Sequence, residues 1–207
     1  MPRAKLRTPA LRARVLRAAV TMLADEGVLG FTARKVASGA DTSVPAVYEL
    51  FGDKAGLIRA VYFEGFRYLR ARLDGIGESG DPRTDLLRLV ERFREFWREN
   101  PVLAEVMFAR PFADFDPGPD DLRATSSVRK LIIGRVRRCV EAGQFTGDET
   151  DIAHALLALA LGLAAQENAG WLGRSRASTN RRWALAFRAL FDGFAPGERT
   201  GPGAQST

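Results

Sequence analysis

The sequence reads as an all-α protein of several helices. Apolar residues recur at spacings of three and four along nearly the whole chain, and no stretch alternates with the two-residue period of a strand. Ser, Thr or Asp stands just ahead of several periodic segments, in the place of a helix N-cap, and Gly or Pro punctuates their ends. The longest apolar run, IAHALLALALGLAA from Ile152 to Ala165, has 14 residues. That is too short for a membrane span and fits a helix buried on nearly all sides.

The first helix runs over 9–26, with Leu11, Val15, Leu16, Ala19, Val20 and Leu23 on one face, and Gly27 stops it. Thr32 is placed to cap a second helix, and Ser43 or Thr42 a third, in whose first turn Pro45 costs little. Both are short, and a helix below about 12 residues needs packing to persist. Asp53 caps a long fourth helix carrying Ile58, Tyr62, Phe66, Leu69 and Leu73. GIGESGDP breaks the chain at 75–82, and a fifth helix follows with Leu86, Val90, Phe93 and Trp97 on its apolar face. Pro101 opens a short sixth, ADFDPGPDD is a loop, and helices are expected at about 120–142, 148–169 and 178–195. The division expected is a basic arm (1–8) within an N-terminal domain (1–54), a larger helical domain (55–195) and a disordered tail (196–207).

The chain has 207 residues, 46% of them hydrophobic and 27% charged, an ordinary globular balance. One cysteine rules out an intramolecular disulfide framework, and the opening MPRAKLRTPALRARVL lacks the apolar centre of a signal peptide, so a cytoplasmic setting without a membrane partner is expected. Of the net charge of +6, residues 1–60 hold +5, from 10 Lys/Arg against 5 Asp/Glu. A basic excess confined to the first third is the footprint of nucleic-acid contact in one domain.

No enzyme site assembles. Gly75, Gly77 and Gly80 match the dinucleotide pattern, yet a charged helix precedes them where a strand is required. The single histidine, His154, has no second ligand at metal spacing. Cys139 sits by Arg135, Arg137 and Arg138, which would favour its thiolate, although a filler on a helix is the simpler reading. Asp120 and Asp121 read as capping charges in a loop. No cofactor and no metal is expected.

Two short helices joined by a tight turn and braced by a longer one form a helix-turn-helix, whose second member enters the major groove. FTARKVA followed by AVYELFGDKAGLIRAV resembles the DNA-binding domain of the TetR/AcrR family of transcriptional regulators. The family pattern is Thr-x-x-x-Ile-Ala, then Tyr-x-x-Phe, then a Lys opening the next helix. The resemblance covers residues 10–60 closely and the rest only as a similar helical domain. It implies that Thr32 and Lys54 hold phosphates, that Arg34 grips a base edge, and that Tyr48 offers its hydroxyl to a phosphate. Val44, Pro45 and Ala46 present apolar surface to thymine methyls, and Thr42 and Ser43 complete the DNA-facing set. Two positions depart from the pattern. Asp41-Thr42 replaces the usual Gly-Val of the turn, and Leu50 stands where His or Tyr is common.

The resemblance further implies a repressor that binds a palindromic operator as a homodimer and is released by a small effector. Surplus apolar surface on the last two helices places the interface at Leu156, Leu159, Leu163, Trp183, Phe187 and Phe191. The aromatic set Phe93, Phe96, Trp97, Met107, Phe108, Phe112 and Trp171 is the candidate pocket for an apolar effector. The competing reading is a helical interaction module of the same fold without specific DNA binding.

Overall fold

The computed structural model describes residues 8–197 apart from 110, 111 and 114, and most of the basic arm and tail therefore lies outside the described residues. Every regular element described is helical: α1 (Pro9–Gly30), α2 (Ala33–Gly39), α3 (Val44–Phe51), α4 (Lys54–Asp74), α5 (Pro82–Glu99), α6 (Pro101–Phe108), α7 (Pro119–Ala124), α8 (Ser126–Glu141), α9 (Glu149–Asn168) and α10 (Arg176–Phe194). The chain divides into two compact units, Met1–Ile76 with Glu91–Arg129, and Gly77–Val90 with Lys130–Thr207.

The helices begin where side chains can serve their unpaired N–H groups. Leu11 N–H donates to Thr8 Oγ1 (3.2 Å), Lys35 N–H to Thr32 Oγ1 (3.3 Å), Ala46 N–H to Ser43 Oγ (3.3 Å) and Gly56 N–H to Asp53 Oδ1 (2.7 Å). Each such cap is worth about 1 kcal/mol. α1 is interrupted at Gly27, whose φ of 69° and ψ of −173° are not helical.

In the first unit α1 packs on α2, α4 and α6. Leu11, Val15, Leu16, Ala19 and Leu23 of α1 are buried, as are Val36 and Ala37 of α2, Val47 of α3 and Leu57, Ile58 and Val61 of α4. Polar ties join α4 to α7 and the start of α8. Arg59 Nε donates to Asp121 Oδ1 at 2.6 Å, and Arg70 Nη1 to the Ser127 carbonyl at 2.6 Å. Asp121 is buried and also accepts from Gly118 N–H (3.1 Å), which caps α7; the Arg59 hydrogen bond holds its carboxyl below the usual range. Asp121 is thus a cap, as expected, although the Asp120–Asp121 pair lies in the first turn of α7 rather than in a loop.

The single helix expected over 120–142 is two. Thr125 (φ −90°, ψ 1°) separates α7 from α8, and its hydroxyl sits 3.1 Å from the Asp121 carbonyl, to which it donates. A threonine that serves the backbone locally competes with helix continuation.

In the second unit Asp85 is the buried charge that organises the turn before α5. Its carboxylate accepts from Ser79 N–H (2.9 and 3.0 Å), Ser79 Oγ (2.6 Å) and Arg138 Nη1 (2.9 Å). The Ser79 hydroxyl bond outweighs burial and, with the Ser79 N–H and Arg138, lowers the carboxyl to about 2. GIGESG is therefore a connection between helices. Along α10, Trp183 stacks on Phe187, and Phe145 meets Phe191 edge-on at 5.2 Å.

Candidate nucleic-acid interface

The turn between α2 and α3 is built on one backbone conformation. Asp41 has φ 49°, and it alone among the described non-glycine residues has positive φ. Aspartate enters this region more readily than most residues, which explains how the turn forms without glycine. Thr42 N–H closes the turn onto the Ala37 carbonyl (2.9 Å), and Arg14 Nε of α1 donates to the Ala40 carbonyl (3.0 Å). α1 thereby fixes the angle at which α3 leaves α2.

The surface this presents is mixed polar and apolar. Thr32, Arg34, Ser43, Pro45, Tyr48 and Lys54 are exposed, and Thr42 and Val44 are half-buried. Ala46 does not join them. It is 2% exposed and, with Val47, faces the small core, so it has no methyl to offer a groove. In an eight-residue helix that is apolar at Val44, Ala46 and Val47, sequence alone does not separate the packed face from the outer one. Lys35 is also exposed but is engaged in an ion pair with Glu26, and the guanidinium of Arg12 covers the Phe51 ring at 5.0 Å.

Gly56 is a residue that sequence reasoning missed. A Cβ built there would lie 1.8 Å from the Phe51 carbonyl oxygen. The end of α3 and the first turn of α4 approach so closely that only glycine fits, which sets where Lys54 stands relative to α3. A glycine inside the first turn of a capped helix was the available signal.

The aromatic candidates separate. Phe93, Phe96, Trp97 and Met107 are buried. Phe108 stacks on Trp97 (5.9 Å between centroids) and meets Phe93 and Phe66 edge-on. Phe112 packs instead against Phe31 at 5.5 Å. Trp171 is 82% exposed in the α9–α10 connection and lines no enclosed site. A recess of about 420 Å³ does open in the first unit, between α4 and the α7–α8 junction, lined by residues including Phe63, Phe66, Arg70 and Thr125.

The expected interface residues also divide. Leu156, Trp183, Phe187 and Phe191 are buried within the chain itself, where α9, α10 and Phe145 cover them, so they are core rather than free surface. Leu159 and Leu163 are half-buried, and Leu185 of α10 is 65% exposed. His154 is exposed, with Nδ1 2.8 Å from the Thr150 carbonyl oxygen. Cys139 is fully buried, and burial raises its thiol to about 11, against the arginine activation considered above. No helix among the described residues is long and apolar enough to cross a membrane.

A pair of short helices joined by a positive-φ turn and braced by a longer helix is the helix-turn-helix arrangement of DNA-binding proteins. Residues 15–61 match the model for bacterial regulatory proteins of the tetR family, and residues 86–190, just over half of the chain, match the tetracyclin repressor-like C-terminal domain. The chain belongs to the TetR family. Among solved structures, a protein of unknown function from Rhodococcus sp. RHA1 aligns with a TM-score of 0.77 at 24% identity, over 94% of this chain and 100% of its own. The TetR family regulator PfmR from Thermus thermophilus gives 0.60 at 22% identity, over 86% and 95%. A structure described as the molecular basis for control of antibiotic production by bacterial hormones gives 0.70 at 26% identity, over 92% and 100%. No curated protein matches the sequence.

Proposed function

We propose that this protein is a ligand-responsive repressor that binds a palindromic operator as a homodimer and releases it when a small effector binds. The observation that carries the reading is the outer face of α2, α3 and the start of α4. There Thr32, Arg34, Tyr48 and Lys54 stand exposed on helices whose relative angle is fixed by the Asp41 turn and Arg14. Thr32 and Lys54 serve phosphates, Lys54 with the N-terminal N–H groups of α4 behind it. Arg34 reads a base edge, Tyr48 adds a phosphate contact, and Val44 and Pro45 face thymine methyls.

Phosphate contacts give affinity and base contacts give specificity, so two variants separate the roles in a gel shift. Lys54→Ala weakens operator and random DNA alike and lowers the salt slope by about one. Arg34→Ala costs roughly 1–3 kcal/mol on the operator and relaxes one position per half-site. Operator affinity untouched by both at low salt would sink the reading.

The homodimer forms through the outer faces of α9 and α10, with Leu159, Leu163 and the exposed Leu185. Sedimentation at micromolar concentration giving only a 22.7 kDa species is the contrary result. The effector site lies in the helices beyond α3, around the Phe93–Trp97–Phe108 cluster and the adjoining recess. The relative whose structure concerns hormone control of antibiotic production supports a chemical signal as effector. The effector acts only through differential affinity for the DNA-competent and released states.

A further inference from the structure

We propose that the effector is an uncharged ring compound bearing a carbonyl-type acceptor, and that the indole N–H of Trp97 is its anchor. This rests on the effector-binding reading above and supplies the chemistry that reading leaves open. The chain has three tryptophans, in three different situations. Trp183 Nε1 donates to Glu167 Oε2 at 2.7 Å, and Trp171 is open to solvent. Trp97 is 5% exposed, and its Nε1 is buried with no hydrogen-bond partner among the described residues. A buried donor without an acceptor is costly, and folded proteins keep few of them. The neighbouring core positions on the same helix, Phe93 and Phe96, fill space with no such donor.

The surroundings of Trp97 say what would be received there. Phe108 lies over the indole with ring planes 19° apart, and Phe66 meets Phe108 at 5.4 Å. Phe66 also lines the 420 Å³ recess between α4 and the α7–α8 junction, a size suited to small ligands. A series of touching rings thus leads from the recess to the indole. A flat ligand that replaces one of these rings exchanges stacking for stacking, and an acceptor atom on it gains the Trp97 N–H. Charge is disfavoured. Arg67 and Arg70, the cations lining the recess, are already held by Glu64 and Asp74. A carboxylate carried inward to Trp97 would lose its water without a free counter-ion from the recess.

The test uses the full-length protein with ¹⁵N-labelled tryptophan, whose three indole resonances are followed by NMR. Trp97→Phe assigns the resonance of interest; should that variant fail to fold, β-(3-benzothienyl)alanine at position 97 keeps the shape and removes the N–H. The probes are 1-indanone, indane and 2-indanecarboxylate, which share one ring system. The ketone should shift the Trp97 indole resonance downfield, leave the other two in place, and bind about fivefold tighter than indane, the worth of one neutral hydrogen bond. That preference should vanish without the N–H. Equal binding of ketone and hydrocarbon, binding of neither, a preference that survives Trp97→Phe, or tighter binding of the carboxylate each overturns the proposal. Failure of the regulator reading shows separately, as loss of the operator gel shift in protein that has met no probe.

Discussion

Replacing Gly56 by alanine tests how the recognition helix is attached to the rest of the protein. The added methyl would stand 1.8 Å from the Phe51 carbonyl oxygen and 3.0 Å from the carbonyl carbon. Relief requires the junction of α3 and α4 to open by more than an ångström, and both sides of the clash are backbone. Two cap hydrogen bonds flank the same junction, Gly52 N–H to the Tyr48 carbonyl at the end of α3 (2.7 Å) and Gly56 N–H to Asp53 Oδ1 at the start of α4 (2.7 Å). Overpacking of this kind costs about 1–3 kcal/mol, and weakening the two bonds adds about 1 kcal/mol. Alanine returns about 1 kcal/mol through its better helix propensity. The net loss is about 1–3 kcal/mol, or roughly 2–12 °C in melting temperature for a chain of this size. Operator affinity should fall with it, because Lys54 sits in the turn that must move. Gly134→Ala in α8 is the control, since nothing lies within 4 Å of its added methyl, and it should melt slightly higher than wild type. Thermal melts and gel shifts on the same preparations decide the matter. A Gly56→Ala protein that melts at or above wild type and binds operator normally would refute the close approach.

Other expectations follow from individual contacts. Asp41→Gly should change the melting temperature little, because relief at φ 49° is offset by the greater entropy of glycine in the unfolded chain. It should bind DNA at least as well in low-salt gel shifts, since a carboxylate is removed near the phosphates. The depressed Asp85 carboxyl contributes stability that is complete above about pH 4 and is lost as pH falls through about 2. Asp85→Asn should therefore melt lower than wild type near neutral pH, and the gap should narrow below about pH 4 in a pH series of melts. Leu159→Glu, on a half-buried position, should give folded monomers by sedimentation, whereas Phe187→Glu should unfold the chain, as circular dichroism would report.

Local signals made much of this fold legible before any coordinates. Thr32, Ser43 and Asp53 each accept the N–H three residues on, because a short polar side chain ahead of an apolar repeat has one favourable use. Asp41 could be read as a positive-φ position because few other residues tolerate it. What sequence left hidden depends on partners distant along the chain. Trp183, Phe187 and Phe191 form an apolar stripe that a second subunit could have covered, and the chain covers it with its own residues. Trp171 looks like pocket material by type alone, yet it is mostly exposed beyond the end of α9. Asp85 gave no sign of burial, because its partner Arg138 lies 53 residues away. Thr125 interrupts a helical pattern through a hydrogen bond that composition does not encode.

The tight junction at Phe51, Asp53 and Gly56 also has a mechanical consequence. A recognition helix on a slack tether could rock without disturbing anything behind it. Here α3 is welded to the end of a rod of 21 residues, roughly 31 Å long at about 1.5 Å per residue. A tilt of that rod by about 5° about its middle carries its first residue through roughly 1.4 Å, more than the span from about 2.7 to 3.2 Å within which N–H···O contacts hold. Movement of α4 is thus delivered to α3 as displacement, with no slack to absorb it, and a regulator made this way can change its grip on DNA with every helix intact.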